Sequence, residues 1–171
     1  MSIIESISIR KLKSSDDLSN YLKMINDKKN TQNIQGIGDE YIGLDYLVNF
    51  INNYDGILFG IFLDKSIHIG NISFSNFNEK ICNVGILMSE NYQGRGFSKR
   101  ALILALKKIF KHTKIVKVIL YVVITNKSAI KLYESIGFKS YGKIPNQFHK
   151  NGVYKDSYLY SILKKWFNSH Y

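Results

Sequence analysis

The chain has 171 residues, 45% of them apolar, and a formal net charge of +11. That length suits one domain, residues 1–171, with a real core, and the longest apolar run, Val118–Ile124, falls far short of the roughly 20 residues of a membrane-spanning helix. Cys82 is the only cysteine, which excludes an internal disulfide and a cysteine-built zinc cage.

The basic residues are almost all lysine, Arg10, Arg95 and Arg100 being the only arginines, and they are spread along the whole chain. The charge therefore reads as a solvated basic surface rather than a nucleic-acid groove; it favours anionic ligands and disfavours polycations. The opening MSIIESISIRKL lacks the basic stretch, apolar block and cleavage site of a secretory leader, so a cytoplasmic protein with no membrane partner is expected.

Ile7 and Ile9 alternate with polar residues in a first strand. Ser14–Asp17 supplies candidate caps for a helix that keeps Leu18, Tyr21, Leu22 and Ile25 on one face. A polar stretch, Asn26–Asp39, has no clear period, and Leu44, Leu47, Val48 and Ile51 mark a second helix. After a turn at Tyr54–Gly56 come three antiparallel strands, Ile57–Leu63, Ile67–Asn76 and Ile81–Ser89.

A glycine-bearing loop, Tyr92–Gly96, leads into a helix over Phe97–Lys111. Ile115–Ile124 is β-branched nearly throughout, as expected of a strand covered on both faces. Ala129, Leu132, Tyr133 and Ile136 lie in helical register up to Gly137, and Phe138–Ile144 and Val153–Leu163 close the chain as strands. The order predicts an α/β (α+β) domain: a mixed, mostly antiparallel sheet of six to seven strands flanked by helices.

The segment Asn91–Arg100, NYQGRGFSKR, carries the chemistry. It follows a strand and opens a helix, and its two glycines let backbone N–H groups come close to a pyrophosphate at the helix N-terminus. It is neither a Walker A loop nor a G-x-G-x-x-G fingerprint. Gln93-Gly94-Arg95-Gly96-Phe97-Ser98 resembles the acetyl-CoA loop Q/R-x-x-G-x-G/A of the GNAT acetyltransferases, with Ser98 where Gly or Ala is usual. Asn126, Ala129, Tyr133, Gly137 and Phe138 are similar to that family's second signature, N-x-x-A-x-x-x-Y-x-x-x-G-F. Ile69–Ile72, Val84–Ile86 and Lys150–Asp156 extend the likeness toward the RimJ/RimL-like branch, which holds ribosomal-protein, polyamine and amino-sugar acetyltransferases.

The resemblance implies acetyl-CoA as cosubstrate, no metal, and an N-acetyltransferase acting on a small-molecule or peptide amine, with a homodimer as one possible assembly. Carried over, Leu87, Met88 and Ser89 offer backbone groups to the pantetheine arm, and Gln93, Gly94, Arg95, Gly96 and Ser98 cradle the pyrophosphate with Lys99 and Arg100 nearby. The plain alternatives are a solvated helix face for Lys99 and Arg100 and a core role for Met88. Asn126 is both an N-cap and a cofactor contact, and Tyr133 is either a core tyrosine or the phenol beside the CoA sulfur.

The family's usual glutamate is absent: its stretch reads Cys82-Asn83-Val84, leaving Glu79, Glu90 and His68 as bases by proximity in the chain alone. His68 is expected at the surface. A missing base suits a weakly basic amine better than an alkyl amine near ~10.4. The expected acceptor is therefore a protein N-terminus or an amino sugar, with a polyamine or a catalytically silent acetyl-CoA-binding domain as alternatives.

Overall fold

The computed structural model describes residues 5–171; residues 1–4, the start of the segment read as lacking a leader, lie outside the described residues. The strands are β1 (Ile7–Lys11), β2 (Gly56–Leu63), β3 (Ile67–Asn78), β4 (Ile81–Met88), β5 (Lys117–Val123), β6 (Lys139–Lys150) and β7 (Val153–Leu163). The helices are α1 (Ser19–Asn26), α2 (Lys28–Thr31), α3 (Leu44–Asn52), α4 (Phe97–His112), α5 (Lys127–Ile136) and α6 (Lys164–Asn168). One sheet of seven strands runs in the order β1-β2-β3-β4-β5-β7-β6. Every neighbouring pair is antiparallel except β4 and β5.

Alternation along the strands builds a core on each face of the sheet. Phe59, Ile61, Ile72, Phe74 and Val118 turn to one side, where Leu102, Leu106 and Ile109 of α4 and Ile136 of α5 cover them. Leu58, Phe62 and Leu87 turn to the other, under Tyr21, Met24 and Ile25 of α1 and Leu47 of α3. The helical periods read from the sequence thus become the two covering layers.

Several expectations shift. The N-cap of α1 is Leu18 and makes no side-chain cap bond; of Ser14–Asp17, Asp16 accepts from Lys13 N (2.8 Å) and pairs with Arg10 (2.8 Å), while Asp17 Oδ1 accepts from Ser19 N (3.0 Å). The stretch without a period holds the short α2, capped by Asp27, whose Oδ1 accepts from Lys29 N (3.0 Å) and Asn30 N (3.2 Å). Asn26 bonds Leu22 O (3.0 Å) and both main-chain groups of Ile42 (2.7 and 2.9 Å), pinning the far end of that stretch. β6 runs on past Pro145, which sits where its register with β7 shifts.

Helix α6 has no period long enough to be read from the sequence, and it explains Gly137. That residue caps α5 at φ +107°, and a Cβ there would lie 1.8 Å from the Trp166 ring. β5 is covered on one face only; Tyr121 is 42% exposed because its side of the strand looks into a cleft.

Candidate active site

The cleft follows from the one parallel pair. β4 and β5 pair only at Ile81–Lys117, Cys82–Val118 and Asn83–Ile119, then part. The main-chain groups that Val84–Met88 would otherwise give to β5 have no strand partner. A cavity of about 900 Å³ fills the gap. It reaches Tyr133 of the first core and Tyr21, Leu47 and Leu58 of the second, so it passes through the sheet from one face to the other.

The loop after β4 makes one end. A single 3-10 turn, Glu90–Tyr92, brings Gln93 under the cleft, where its Nε2 donates to Met88 O (2.9 Å) and Asn30 Oδ1 (2.8 Å). Gly94 and Gly96 have φ +72° and +78°, and a Cβ at either would meet nothing within 4 Å. The positive φ asks for glycine, and the open space beside both leaves room for a ligand against the backbone. Ser98 and Lys99 follow in the first turn of α4, with the positive end of its dipole beside them.

The other wall is α5. Asn126 caps it, Oδ1 accepting from Ala129 N (3.3 Å) and Ser128 Oγ (3.1 Å), while lining the cavity. Tyr133 is 7% exposed, packs edge-on against Phe138, and also lines the cavity. Among the described residues no group hydrogen-bonds its hydroxyl, and burial alone pushes its pKa up to about 12.

Leu87, Met88, Gln93, Gly94, Gly96, Ser98, Lys99, Asn126 and Tyr133 therefore meet at one cavity. Ser89 and the Arg95 side chain stand apart. Ser89 N donates to Ile69 O (2.9 Å), and Arg95 turns away to Glu5 (2.8 Å) across the Tyr92 and Phe97 rings. Arg100 likewise bonds Glu5 O (2.9 Å). The Met88 carbonyl is already taken by Gln93.

None of the candidate bases faces the cavity. Glu79 sits in the β3–β4 turn at the opposite end of the strands, and Glu90 is ion-paired with Lys29. His68 is not at the surface: it is 5% exposed, stacked on Phe62 under Tyr21, and burial holds its pKa below the ordinary value. Cys82 is buried too, its thiol pushed up to about 12. Among the described residues no cluster of metal-ligating side chains occurs, and no helix is long and apolar enough to cross a membrane.

Sequence reasoning missed Asn71 and Ser73 of β3 and Asn30 of α2, which also line the cavity. The signal for the first two was present, since polar residues alternating between Ile72 and Phe74 in an inner strand need a purpose.

Known proteins are similar to this chain in sequence or in fold. A spermidine N(1)-acetyltransferase of Vibrio cholerae is 30% identical over 94 residues, 54% of each chain. YdaF of Bacillus subtilis, a candidate ribosomal N-acetyltransferase, is 26% identical over 113 residues, 65% of this chain and 61% of that one. The chain spans about half the length of the first curated relatives it matches. The structure of spermidine N-acetyltransferase from Vibrio cholerae in complex with CoA and spermine superposes with a TM-score of 0.83 over 95% of this chain and 98% of that one, at 23% identity. The acetyltransferase (GNAT) domain profile matches residues 7–139, and with the seven-stranded sheet parted at β4 and β5 the chain belongs to that family.

Proposed function

We propose that this chain transfers the acetyl group of acetyl-CoA directly to the primary amine of a small acceptor. The parting of β4 from β5 carries the reading, because it joins an open glycine loop at one end to a buried, unpartnered phenol in the middle. Gln93, Gly94, Gly96 and Ser98, with the Arg95 main chain and Lys99, hold the pyrophosphate, and Asn126 borders it. Leu87 and Met88 border the pantetheine arm, whereas Ser89, its N–H held by Ile69 O, does not. Acetyl-CoA supplies the activated thioester.

Tyr133 keeps its proton at physiological pH, being pushed up to about 12. Its hydroxyl is therefore a donor to the leaving sulfur. The amine's proton has only water to go to, since neither carboxylate nor imidazole lines the cavity among the described residues.

The spermidine acetyltransferases among the relatives support a polyamine acceptor over the protein N-terminus or amino sugar expected from the sequence, and YdaF, by its ribosomal name, leans toward the RimJ/RimL-like branch. One observation favours the second reading: Lys29, Lys99 and Lys131 are the only charged side chains lining the cavity among the described residues. The experiment has two parts. Acetyl-CoA, but not NAD or ATP, raises the melting temperature; binding to the folded state alone is worth about 2.7 kcal/mol at a hundredfold excess over Kd. Turnover is then measured with spermidine, ribosomal-protein N-terminal peptides and nucleotide-linked amino sugars. No shift at millimolar acetyl-CoA refutes the reading, and a shift without turnover of any amine leaves a silent binding domain.

A further inference from the structure

The two faces of the cavity carry different groups. The start of α4 and Tyr133 of α5 belong to the face covered by those helices, so the mouth on the other face, under α1 and α3, is left for the acceptor. Cys82 and Val118 point into the core under α4, so the next pair along the two strands, Asn83 and Ile119, points to the acceptor face. Two residues further, alternation sets Gly85 level with Tyr121 on that same face, across the gap where β4 and β5 have parted.

The rung continues into β3. Ser73 pairs with Gly85 and lies between Ile72 and Phe74 of the α4 core, so its side chain also turns to the acceptor face. A Cβ on Gly85 would lie 3.0 Å from Ser73 Oγ, which places that hydroxyl over the bare glycine. Asn71, the next residue of β3 on this face, is turned instead to His68, its Oδ1 2.9 Å from Nε2. Ser73 is half-buried and Tyr121 is 42% exposed, and both line the cavity with Gly85. No positive φ asks for glycine at position 85, and glycine inside a strand marks a close approach of another group. Two reachable hydroxyl-bearing side chains thus flank a residue without one, where the sheet opens.

We propose that Ser73 and Tyr121 hold the attacking amine over Gly85, their hydroxyl oxygens accepting its N–H hydrogens. The inference rests on the acetyl transfer proposed above. The neutral amine's nitrogen forms a bond to the acetyl carbon and the carbon–sulfur bond breaks. The sulfur leaves as a thiolate hydrogen-bonded to Tyr133, and the proton given up by the nitrogen goes to water, which balances the step. Positive charge gathers on the nitrogen as the new bond forms, and fixed oxygens beside its hydrogens stabilise that charge. A carboxylate would do so more strongly, but it would also favour the protonated, unreactive amine before reaction. Neutral hydroxyls avoid that, which suits a cavity with no carboxylate among its described lining residues. The contact is to the amino group alone, so it serves a polyamine, a peptide or an amino sugar alike.

The test takes whichever of spermidine, alanyl-glycinamide and glucosamine the whole chain acetylates fastest. It measures kcat/KM for that amine at saturating acetyl-CoA, with a thermal melt to show that each variant is folded. Tyr121→Phe and Ser73→Ala should each lower it about 10–10²-fold, as for a hydrogen bond to a group gaining charge. The KM for acetyl-CoA and its melting shift should not change. Ser73→Thr, which keeps the hydroxyl, should recover most of the Ser73→Ala loss. Gly85→Ala should raise the KM of the amine about tenfold or more, because the added methyl crowds Ser73 Oγ and displaces the nitrogen. A side chain that only forms a wall predicts full activity in Tyr121→Phe, whose ring is intact. Unchanged kcat/KM in a folded Tyr121→Phe or Ser73→Ala chain overturns the inference while acetyl transfer stands, as does loss of the acetyl-CoA melting shift in either. Acetyl-CoA binding with no amine acetylated by the unaltered chain overturns both.

Discussion

Replacing Tyr133 by Phe removes one hydroxyl and nothing else. Its pKa of about 12 stands about 3.5 pKa units above an ordinary thiol near ~8.5, so complete proton transfer to a leaving thiolate is uphill by roughly 5 kcal/mol. What the hydroxyl offers is a hydrogen bond to a charged sulfur, worth about 1.5–3 kcal/mol. At 1.36 kcal/mol per factor of ten, kcat should fall about 10–10²-fold. The KM for acetyl-CoA should stay put, because the bond strengthens only as charge develops. Stability should also stay put: the ring still packs on Phe138, and no protein group loses a partner. Steady-state kinetics with a thermal melt reads all three quantities. Full kcat in a folded Tyr133→Phe chain would remove the residue from the chemistry, and normal kcat with a lowered melting temperature would make it a core tyrosine.

Gly96→Glu should abolish the acetyl-CoA melting shift, since the side chain enters the space left open by a φ of +78° and adds a negative charge beside a phosphate site; isothermal titration checks it, and unchanged affinity makes the loop a plain turn. Arg95→Ala should change acetyl-CoA affinity by less than about threefold, because that guanidinium is engaged by Glu5 and exposed pairs of this kind contribute about 0–1 kcal/mol. A tenfold loss would mean that Arg95 swings over to the pyrophosphate. Stability should fall as pH drops below about 6.5, where the unfolded chain protonates His68 while the folded chain, its ring pKa held down by burial, does not. Melts at pH 7.5 and 5.5 should show a smaller acid loss in His68→Phe than in the unaltered chain, and equal losses would refute the assignment.

The fold was legible where burial imposes a period. Leu102, Leu106 and Ile109 mark α4, and Ile7 and Ile9 mark β1, because each side chain there answers to one layer. It was illegible where short contacts between distant segments decide the path. α2 is too short for a period, and α6 has meaning only against Gly137. No short window of the sequence contains both Gly137 and Trp166.

The site divides in the same way. Its loop end is local: Gly94 and Gly96 answer to backbone conformation and Ser98 to a helix start, so their order in the chain places them in space. Arg95 shows the limit, since the side chain answers to Glu5, 90 residues away. The polar pair under α1 is built by register. His68 and Asn71 are three apart, and strict alternation would put them on opposite faces of the sheet. One bulged residue, Ile69, brings them together and turns a residue expected at the surface into a buried one. A pattern of period two cannot see that insertion, because the extra residue is apolar and reads as one more strand position. The glycine loop is therefore legible as one stretch of sequence, whereas the His68–Asn71 pair exists only once β2 and β3 have paired.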